Sequence, residues 1–253
     1  MSPDYIQLVK STVPVLRENG VALTSYFYKR MLNNHPELKN TFNLDHQSTG
    51  RQPRALAAAV LAYAEHIDNP SVLAKAVERM TTKHVSLNIQ PEQYEIVGTN
   101  LLHSISEVLD VPMDSDLIAA WKEAYTQLAD LLISVEKSKY DSLTSKDGGW
   151  AGWRNFTIAA IQDIEAGKRF ILNSQNNQAT VAAENDEYIS VRVKVPNQDL
   201  KQPQQFTVAE SKPMQYEIDV KAEEHPTEFS VQNILINHYK VGDIVEVSAP
   251  IKI

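Results

Sequence analysis

A histidine, two tyrosines and a glutamine are the residues whose types and positions could do chemistry. His84 ends an amphipathic helical pattern, and a short polar turn separates it from a second helical pattern that begins at Pro91 and contains Tyr94. An imidazole can ligate a metal ion, and a phenol or an amide can hydrogen-bond a ligand. Each residue also has an ordinary structural interpretation. A lone histidine is more often exposed or satisfied in a core, Tyr28 is typical of a core tyrosine, and Gln52, in the first turn of a helix, is typical of a solvated side chain.

Helices in the first 141 residues must position these side chains. Apolar residues recur there at intervals of three and four, and no strand pattern is longer than a few residues. The first predicted helix begins at Pro3, and its apolar pattern includes Leu16. The other helices are predicted over Ala22–Leu32, Pro36–Phe42, Arg51–His66, Val72–His84, Pro91–Leu109 and Ser115–Tyr140. Gly20 is predicted to stop or bend the first of them. An all-α bundle built by pairwise helix packing follows.

The second half has the alternation that is typical of strands. It appears at Ile189–Val195, Tyr216–Val220 and Ile244–Val247, with a short helix predicted near Val231–Tyr239. Short strands and one small helix favour a Greek-key β barrel. We therefore predict a helical domain over residues 1–141, a linker over 142–152 and a β domain over 153–253.

Composition and charge exclude several classes of protein. Charged residues make up 22% and hydrophobic residues 43% of the 253, which is typical of a globular protein. The net charge of −8 argues against a nucleic-acid partner. The absence of cysteine excludes disulfides, iron–sulfur clusters, thiolate ligands and cysteine nucleophiles. No stretch reaches the roughly 18 apolar residues of a membrane span and no signal peptide is visible, so we expect a cytoplasmic protein.

Five stretches of the first half together resemble a known family. They are Tyr26–Met31, His35–Asn43, Lys83–His84, Pro91–Gly98 and Ala120–Tyr125. In local sequence and spacing they look like the globin domain of the flavohemoglobins, and the similarity covers the whole helical half. The resemblance implies a globin fold that holds heme b.

The resemblance also implies a role for each candidate residue. His84 corresponds to the proximal iron ligand, with Tyr94 as its orienting neighbour. Tyr28 and Gln52 correspond to the distal residues that face bound oxygen, where a phenolic donor stabilises a partly negative ligand. The remaining heme contacts would be Phe42 against the porphyrin, Leu56 as the apolar distal wall, Val97 and Leu101 on the heme face, and Lys83 near a propionate.

Near the end of the last helix the sequence departs from the family. The flavohemoglobin pattern has two glutamates there, two positions apart, and the second is taken to complete a His–Tyr–Glu network. This chain has Glu136 at the first position and Ser138 at the second. We therefore expect Glu136 to be a solvated helix residue, so that His84 would lack its anionic support unless Glu136 rotates in.

The second half resembles the flavin-binding barrel of the same family, in the ferredoxin-reductase style. Gly148–Trp150, Arg154–Phe156, Val241–Asp243 and Ala249–Pro250 keep its register. The cofactor motifs are altered at Gln204–Thr207, at Asn185–Tyr188 and at Thr227–Asn233, where an arginine, a hydroxyl and glycines are lost and carboxylates appear. A glutamine cannot supply the charged fork that a diphosphate requires. The sequence therefore predicts a degenerate barrel without FAD.

The resemblance implies a heme globin that binds O2 and NO, as a monomer. Its enzymatic form would be an oxidoreductase, a nitric oxide dioxygenase. In the family a nicotinamide-binding domain follows, whereas this sequence ends at Ile253. Electrons would then come from an external reductase. One alternative is an O2 or NO sensor or carrier with the barrel as an interaction module, and another is a structural protein that has lost heme.

Overall fold

The computed structural model describes residues 1–184 and 186–252. Its first part is helical, as the sequence predicts. The helices are α1 (Pro3–Ser11), α2 (Val13–Asn34), α3 (Leu44–Ser48), α4 (Arg51–Glu65), α5 (Ala74–Ser86), α6 (Pro91–Leu109) and α7 (Asp116–Ser145), with 3-10 turns at Pro36–Asn40 and Pro70–Leu73.

Local capping explains where α6 begins. Pro91 occupies the first turn, where a missing N–H costs nothing. The side chain of Gln93 accepts a hydrogen bond from the backbone N of Gln90 at 2.8 Å, which completes a capping box. The helix ends before Asp110, which adopts a left-handed conformation with φ of 52°. The bounds agree with those predicted from the sequence.

The first helical pattern is divided differently from the prediction. Pro14 lies in the first turn of α2, so the pattern that appeared continuous to Leu16 is two helices. The prediction that Gly20 stops or bends the helix was wrong, because α2 runs unbroken from Val13 to Asn34. Gly20 is buried, and a Cβ placed there would lie 3.5 Å from the Cβ of Ala57 on α4. The glycine therefore allows two helices to pack closely.

The second part is a closed antiparallel barrel. Its strands are β1 (Arg154–Ile164), β2 (Gly167–Ser174), β3 (Glu187–Lys194), β4 (Lys201–Lys212), β5 (Gln215–Lys221), β6 (Ile244–Val247) and β7 (Ile251–Lys252), with α8 (Val231–His238) between β5 and β6. The pairing order is β4-β5-β2-β1-β6-β3, and β3 pairs with β4 to close the ring. The short β7 adds beside β3. This order confirms the predicted Greek-key barrel.

The chain forms two compact units whose borders do not follow the sequence halves. The first unit comprises Met1–Leu38, His46–Glu78 and Gln90–Val135. The second comprises Lys39–Asp45, Arg79–Ile89 and the chain from Glu136 onward. The last turn of α7 extends through Ser145, so the first residues of the predicted linker are helical.

The second unit has one large apolar core. Inward side chains of the strands, including Phe156, Phe170 and Ile218, are fully buried. Val85 of α5 and Leu143 of α7 belong to the same core. Over residues 1–184 and 186–252, no helix is both long enough and apolar enough to span a membrane.

Candidate functional site

The predicted site residues divide between the two units. Those of the first unit are Tyr28, Gln52, Leu56, Tyr94, Val97 and Leu101. Those of the second unit are Phe42, Lys83 and His84. Each group has its own geometry.

Tyr28 and Gln52 are brought together by the packing of α2 on α4. The Tyr28 side chain is 7% exposed and hydrogen-bonds the side chain of Gln52. Burial raises the pKa of the Tyr28 phenol well above its ordinary value, and the Gln52 bond lowers it by less. The phenol is therefore neutral at physiological pH and keeps the proton that a hydrogen-bond donor needs.

A buried threonine fixes the start of α4 against α2. The Thr24 Oγ1 is fully buried, and it donates to the carbonyl O of Pro53 at 2.8 Å and to that of Gly20 at 3.0 Å. Pro53 is the neighbour of Gln52 in sequence. The bond therefore fixes the part of the α4 backbone from which the Gln52 side chain extends.

Two apolar surfaces belong to the same unit. Leu56 is half-buried and lies one turn after Gln52 on α4, so the two share a helix face. On α6, Tyr94, Val97 and Leu101 are spaced by three and four residues and also share a face. Leu101 is buried and Val97 half-buried. These positions can supply the dry walls that a large apolar ligand requires.

The face of α6 is held by α7. The Tyr125 hydroxyl donates to the carbonyl O of Tyr94 at 2.6 Å. The Tyr125 ring lies directly against Gly98, where any side chain would clash with it. Tyr94 itself is buried at 8% exposure.

In the second unit, His84 is paired with a buried carboxylate. The His84 Nδ1 lies 2.7 Å from the Glu136 Oε1, and Glu136 is only 3% exposed. The expectation that Glu136 is a solvated residue was therefore wrong. With a carboxylate as the acceptor, Nδ1 carries the proton and the lone pair is on Nε2, the arrangement found in histidines that ligate metals.

The burial of Glu136 has a signal in the sequence. Glu136 lies between Leu132 and Leu143 at helical spacing, and all three are buried on α7. One turn further, the Lys139 Nζ donates to the Thr82 Oγ1 at 3.0 Å. This face of α7 therefore packs along α5, and Glu136 lies among the buried residues of that face.

Two further predicted residues belong to this unit. Phe42 is half-buried in the segment Lys39–Asp45, and Lys83 precedes His84 on α5 with an exposed side chain. The second unit thus offers an imidazole oriented by a carboxylate, a donor that fits a heme iron. The first unit offers a neutral phenol, an amide and several apolar side chains.

The residues of the altered barrel motifs make contacts within the protein. The Gln204 Oε1, at the position expected to hold an arginine, accepts a hydrogen bond from the Asn43 Nδ2 at 3.1 Å. Phe206 is 7% exposed and packs into the core, whereas Thr207 is exposed. Beside these residues lies a groove of about 490 Å³, lined by Gln205, Phe206, Thr207, Ala209, Asp219, Lys221 and Gln232.

Two carboxylates bond hydroxyl groups close to the start of α8. Ser230 caps α8 by accepting from the backbone N of Asn233 at 3.1 Å, and its Oγ donates to the Glu223 carboxylate. The Asp45 carboxylate accepts a hydrogen bond from the Thr227 hydroxyl at 2.8 Å. An anion near this helix start would meet negative charge, against the usual preference of helix N-termini.

The other altered motif is described only in part. Asn185 lies outside the described residues. Glu187 is 6% exposed, and its Oε2 accepts from the backbone N of Glu184 at 2.9 Å. The Glu187 carboxylate is therefore bonded to the backbone of a nearby residue.

Comparisons with known proteins agree with both parts of the fold. Residues 25–132 match the Globin family. The flavohemoprotein of Bordetella pertussis is 47% identical over 253 residues, which cover 99% of this chain and 63% of that protein. The chain thus spans less than two thirds of that relative's length.

Similar solved structures include a flavohemoglobin and a bacterial globin. The flavohemoglobin from Malassezia yamatoensis, solved with bound FAD and heme, has a TM-score of 0.87 at 26% identity and covers 98% of this chain and 64% of that one. The bacterial globin from Campylobacter jejuni is 41% identical with a TM-score of 0.53, over 55% of this chain and 99% of that one. The helical part and the barrel both have relatives with the same fold.

Proposed function

We propose that the globin part of the chain, which matches the Globin family and is similar to the flavohemoproteins, binds heme through His84 and takes O2 and NO as ligands. The observation that carries the proposal is the 2.7 Å bond between the His84 Nδ1 and the buried Glu136 carboxylate. Such a carboxylate fixes the ring and raises the basicity of the other nitrogen.

The proposed reaction is nitric oxide dioxygenation, in which NO, O2 and one electron give nitrate. A bound heme would supply the site for the diatomic ligand and the electron. The residues of the chain would bind the heme and orient its diatomic ligand. Tyr28 keeps its proton because it is buried, so it donates a hydrogen bond where the ligand becomes partly negative, and Gln52 orients that phenol.

The apolar residues would hold the porphyrin and exclude water. We assign this role to Phe42, Leu56, Val97 and Leu101, with Tyr94 orienting His84 and Lys83 meeting a propionate. We also propose that the protein is a cytoplasmic monomer. In this proposal the globin domain ends at residue 141 and the barrel domain begins at residue 153.

Absorption spectra and NO consumption together test the proposed function. The purified chain should show a Soret band that shifts on reduction and again on adding carbon monoxide. With a generic flavoprotein reductase and NADH, it should consume NO over many turnovers in air, and without the reductase it should stop after about one. A colourless protein would refute heme binding. A heme protein that stops after one turnover in both cases would be a ligand carrier or sensor.

We also propose that the barrel does not retain FAD, and that electrons come from an external reductase. The carboxylates near α8 and the Gln204 contact support this proposal. After equilibration with micromolar FAD and ultrafiltration, the denatured protein should release no flavin fluorescence. Stoichiometric release would contradict the proposal.

The carboxylate beside His84 should tune the iron. Glu136→Gln keeps the shape of the side chain but removes the charge from the acceptor, which weakens the bond to Nδ1. We expect the iron–histidine stretching frequency of the ferrous protein to fall in resonance Raman spectra, and heme affinity to fall about tenfold. Glu95→Gln, at an exposed position of α6, is the control. Identical spectra for the two variants would show that Glu136 has no influence on the ligand.

A further inference from the structure

The segment Lys39–Asp45, which carries Phe42, is attached to the first residues of β4. The attachment is centred on Gln202, whose side chain is 0% exposed. Its Oε1 accepts a hydrogen bond from the backbone N of Leu44 at 2.6 Å. Its Nε2 donates to the carbonyl O of Lys39 at 2.7 Å. One side chain therefore bridges both ends of the short stretch that contains Phe42.

Further bonds reinforce the bridge. The backbone N of Lys201 donates to the Asn40 Oδ1 at 2.7 Å. The Asn43 Nδ2 donates to the carbonyl O of Pro203 at 2.9 Å and to the Gln204 Oε1 at 3.1 Å. Both asparagines thus bind the same strand from within the segment. Side chains and backbone groups that would otherwise need water are satisfied by β4.

The histidine segment is anchored in the same unit. Val85, the neighbour of His84, is 3% exposed and belongs to the apolar core formed by the barrel strands. The Tyr140 hydroxyl donates to the carbonyl O of Ile89 at 2.8 Å, at the end of the same segment. The two segments of this unit that carry proposed heme contacts are therefore both fixed by residues outside them.

We propose that Gln202 is a positioning residue for the heme pocket, and that the barrel supports the pocket through it. By bonding Lys39 and Leu44 together, Gln202 holds the backbone around Phe42 in one conformation. The inference rests on the proposed heme site and gives the barrel a role that needs no flavin. It also explains why Gln202, a polar residue at the start of a strand, is fully buried with both ends of its amide satisfied.

The Gln202→Ala variant tests the proposal, with Gln205→Ala as its control. Gln205 lies on the same strand, and its amide bonds the Ser190 Oγ at 3.3 Å. Hydrogen exchange of the heme-free protein is followed by mass spectrometry. We expect the Leu44 amide of Gln202→Ala to exchange about tenfold faster, because its acceptor is gone, while the amides of β1 and β2 keep their protection.

Heme release gives the second measurement. Transfer of heme to excess apomyoglobin should be about tenfold faster from Gln202→Ala than from the wild type, and unchanged for Gln205→Ala. If Gln202 had a purely structural role, Gln202→Ala would have a lower unfolding temperature. Its heme transfer rate would then equal that of another variant with the same unfolding temperature. Equal transfer rates for the two variants would overturn the proposal.

A second variant covers the case in which Gln202→Ala does not fold. Asn43→Ala removes two bonds at a half-buried position, and exposed Asn237→Ala is its control. Asn43→Ala should speed hydrogen exchange of residues 39–45, and it should speed heme release by a smaller factor than Gln202→Ala does. Unchanged exchange in this segment would also overturn the proposal. Because the exchange experiment uses heme-free protein, it distinguishes failure of the bridge from failure of heme binding.

Discussion

The His84→Ala variant should purify without the Soret band of the wild-type chain, even after growth with added heme. The variant removes the imidazole that we assign to the iron and leaves the Glu136 carboxylate buried without its 2.7 Å contact to Nδ1. Because loss of a supporting contact alone lowers metal affinity about 10- to 100-fold, loss of the ligand should exceed about 100-fold. Reconstitution with hemin, followed by absorption at the Soret maximum, measures the effect.

Two comparisons make the His84 result specific. His103→Ala changes a half-buried histidine of α6 and should keep its heme. Adding free imidazole to His84→Ala should restore part of the Soret band, because the small molecule can replace the missing ring. Retention of iron by His84→Ala at wild-type affinity would refute the assignment of the ligand.

Tyr28→Phe should release oxygen about 10- to 100-fold faster than the wild type. A hydrogen bond to a charged or partly charged group contributes about 1.5–3 kcal/mol, and the variant removes only the hydroxyl. The buried position and raised pKa of Tyr28 mean that the wild type holds this proton at every physiological pH. Stopped-flow displacement of oxygen by carbon monoxide gives the rate.

The matched control for Tyr28 is its neighbour on the same helix. Tyr26 is 42% exposed and its hydroxyl donates to the Glu107 Oε2 at 2.6 Å. Tyr26→Phe should leave oxygen release unchanged. If Tyr28→Phe also leaves it unchanged, Tyr28 has no distal role and the hydrogen bond must come from another residue.

The sequence predicted most helices because local chemistry determines their ends. Pro91 and the Gln90–Gln93 capping box define α6 without help from the rest of the fold. Gly20 illustrates the limit of such arguments. Its helix cost of about 1 kcal/mol is a local property, whereas its packing against Ala57 is visible only in the folded chain.

The strands of the barrel were harder to predict. Strand β4 begins with Lys201-Gln-Pro-Gln-Gln205, which has no alternation and contains a proline that is usually confined to edges and bulges. The pairing with β3 and β5, not local preference, makes this stretch a strand. The bulge of β1 between Ile158 and Ala160 breaks alternation in the same way.

Motifs in the sequence pointed to part of the candidate site. The resemblance implied that Tyr28 and Gln52 lie on one side of a heme, and the structure has a hydrogen bond between their side chains. Glu136 was misjudged because a charged residue on a helix is usually exposed, and its partner on α5 is 52 residues away in sequence. Gln202 was not recognised at all, because its contacts depend on tertiary structure.

The ring of six strands has no open edge among its members. Each of the six has a bonded neighbour on both sides, so the stability of the ring comes from its own ladders and its apolar interior. Of the altered positions on β4, Thr207 is exposed and Gln204 is half-buried. A substitution at the exposed Thr207 can therefore change the surface chemistry of the barrel while the ladders of the ring keep the strands together.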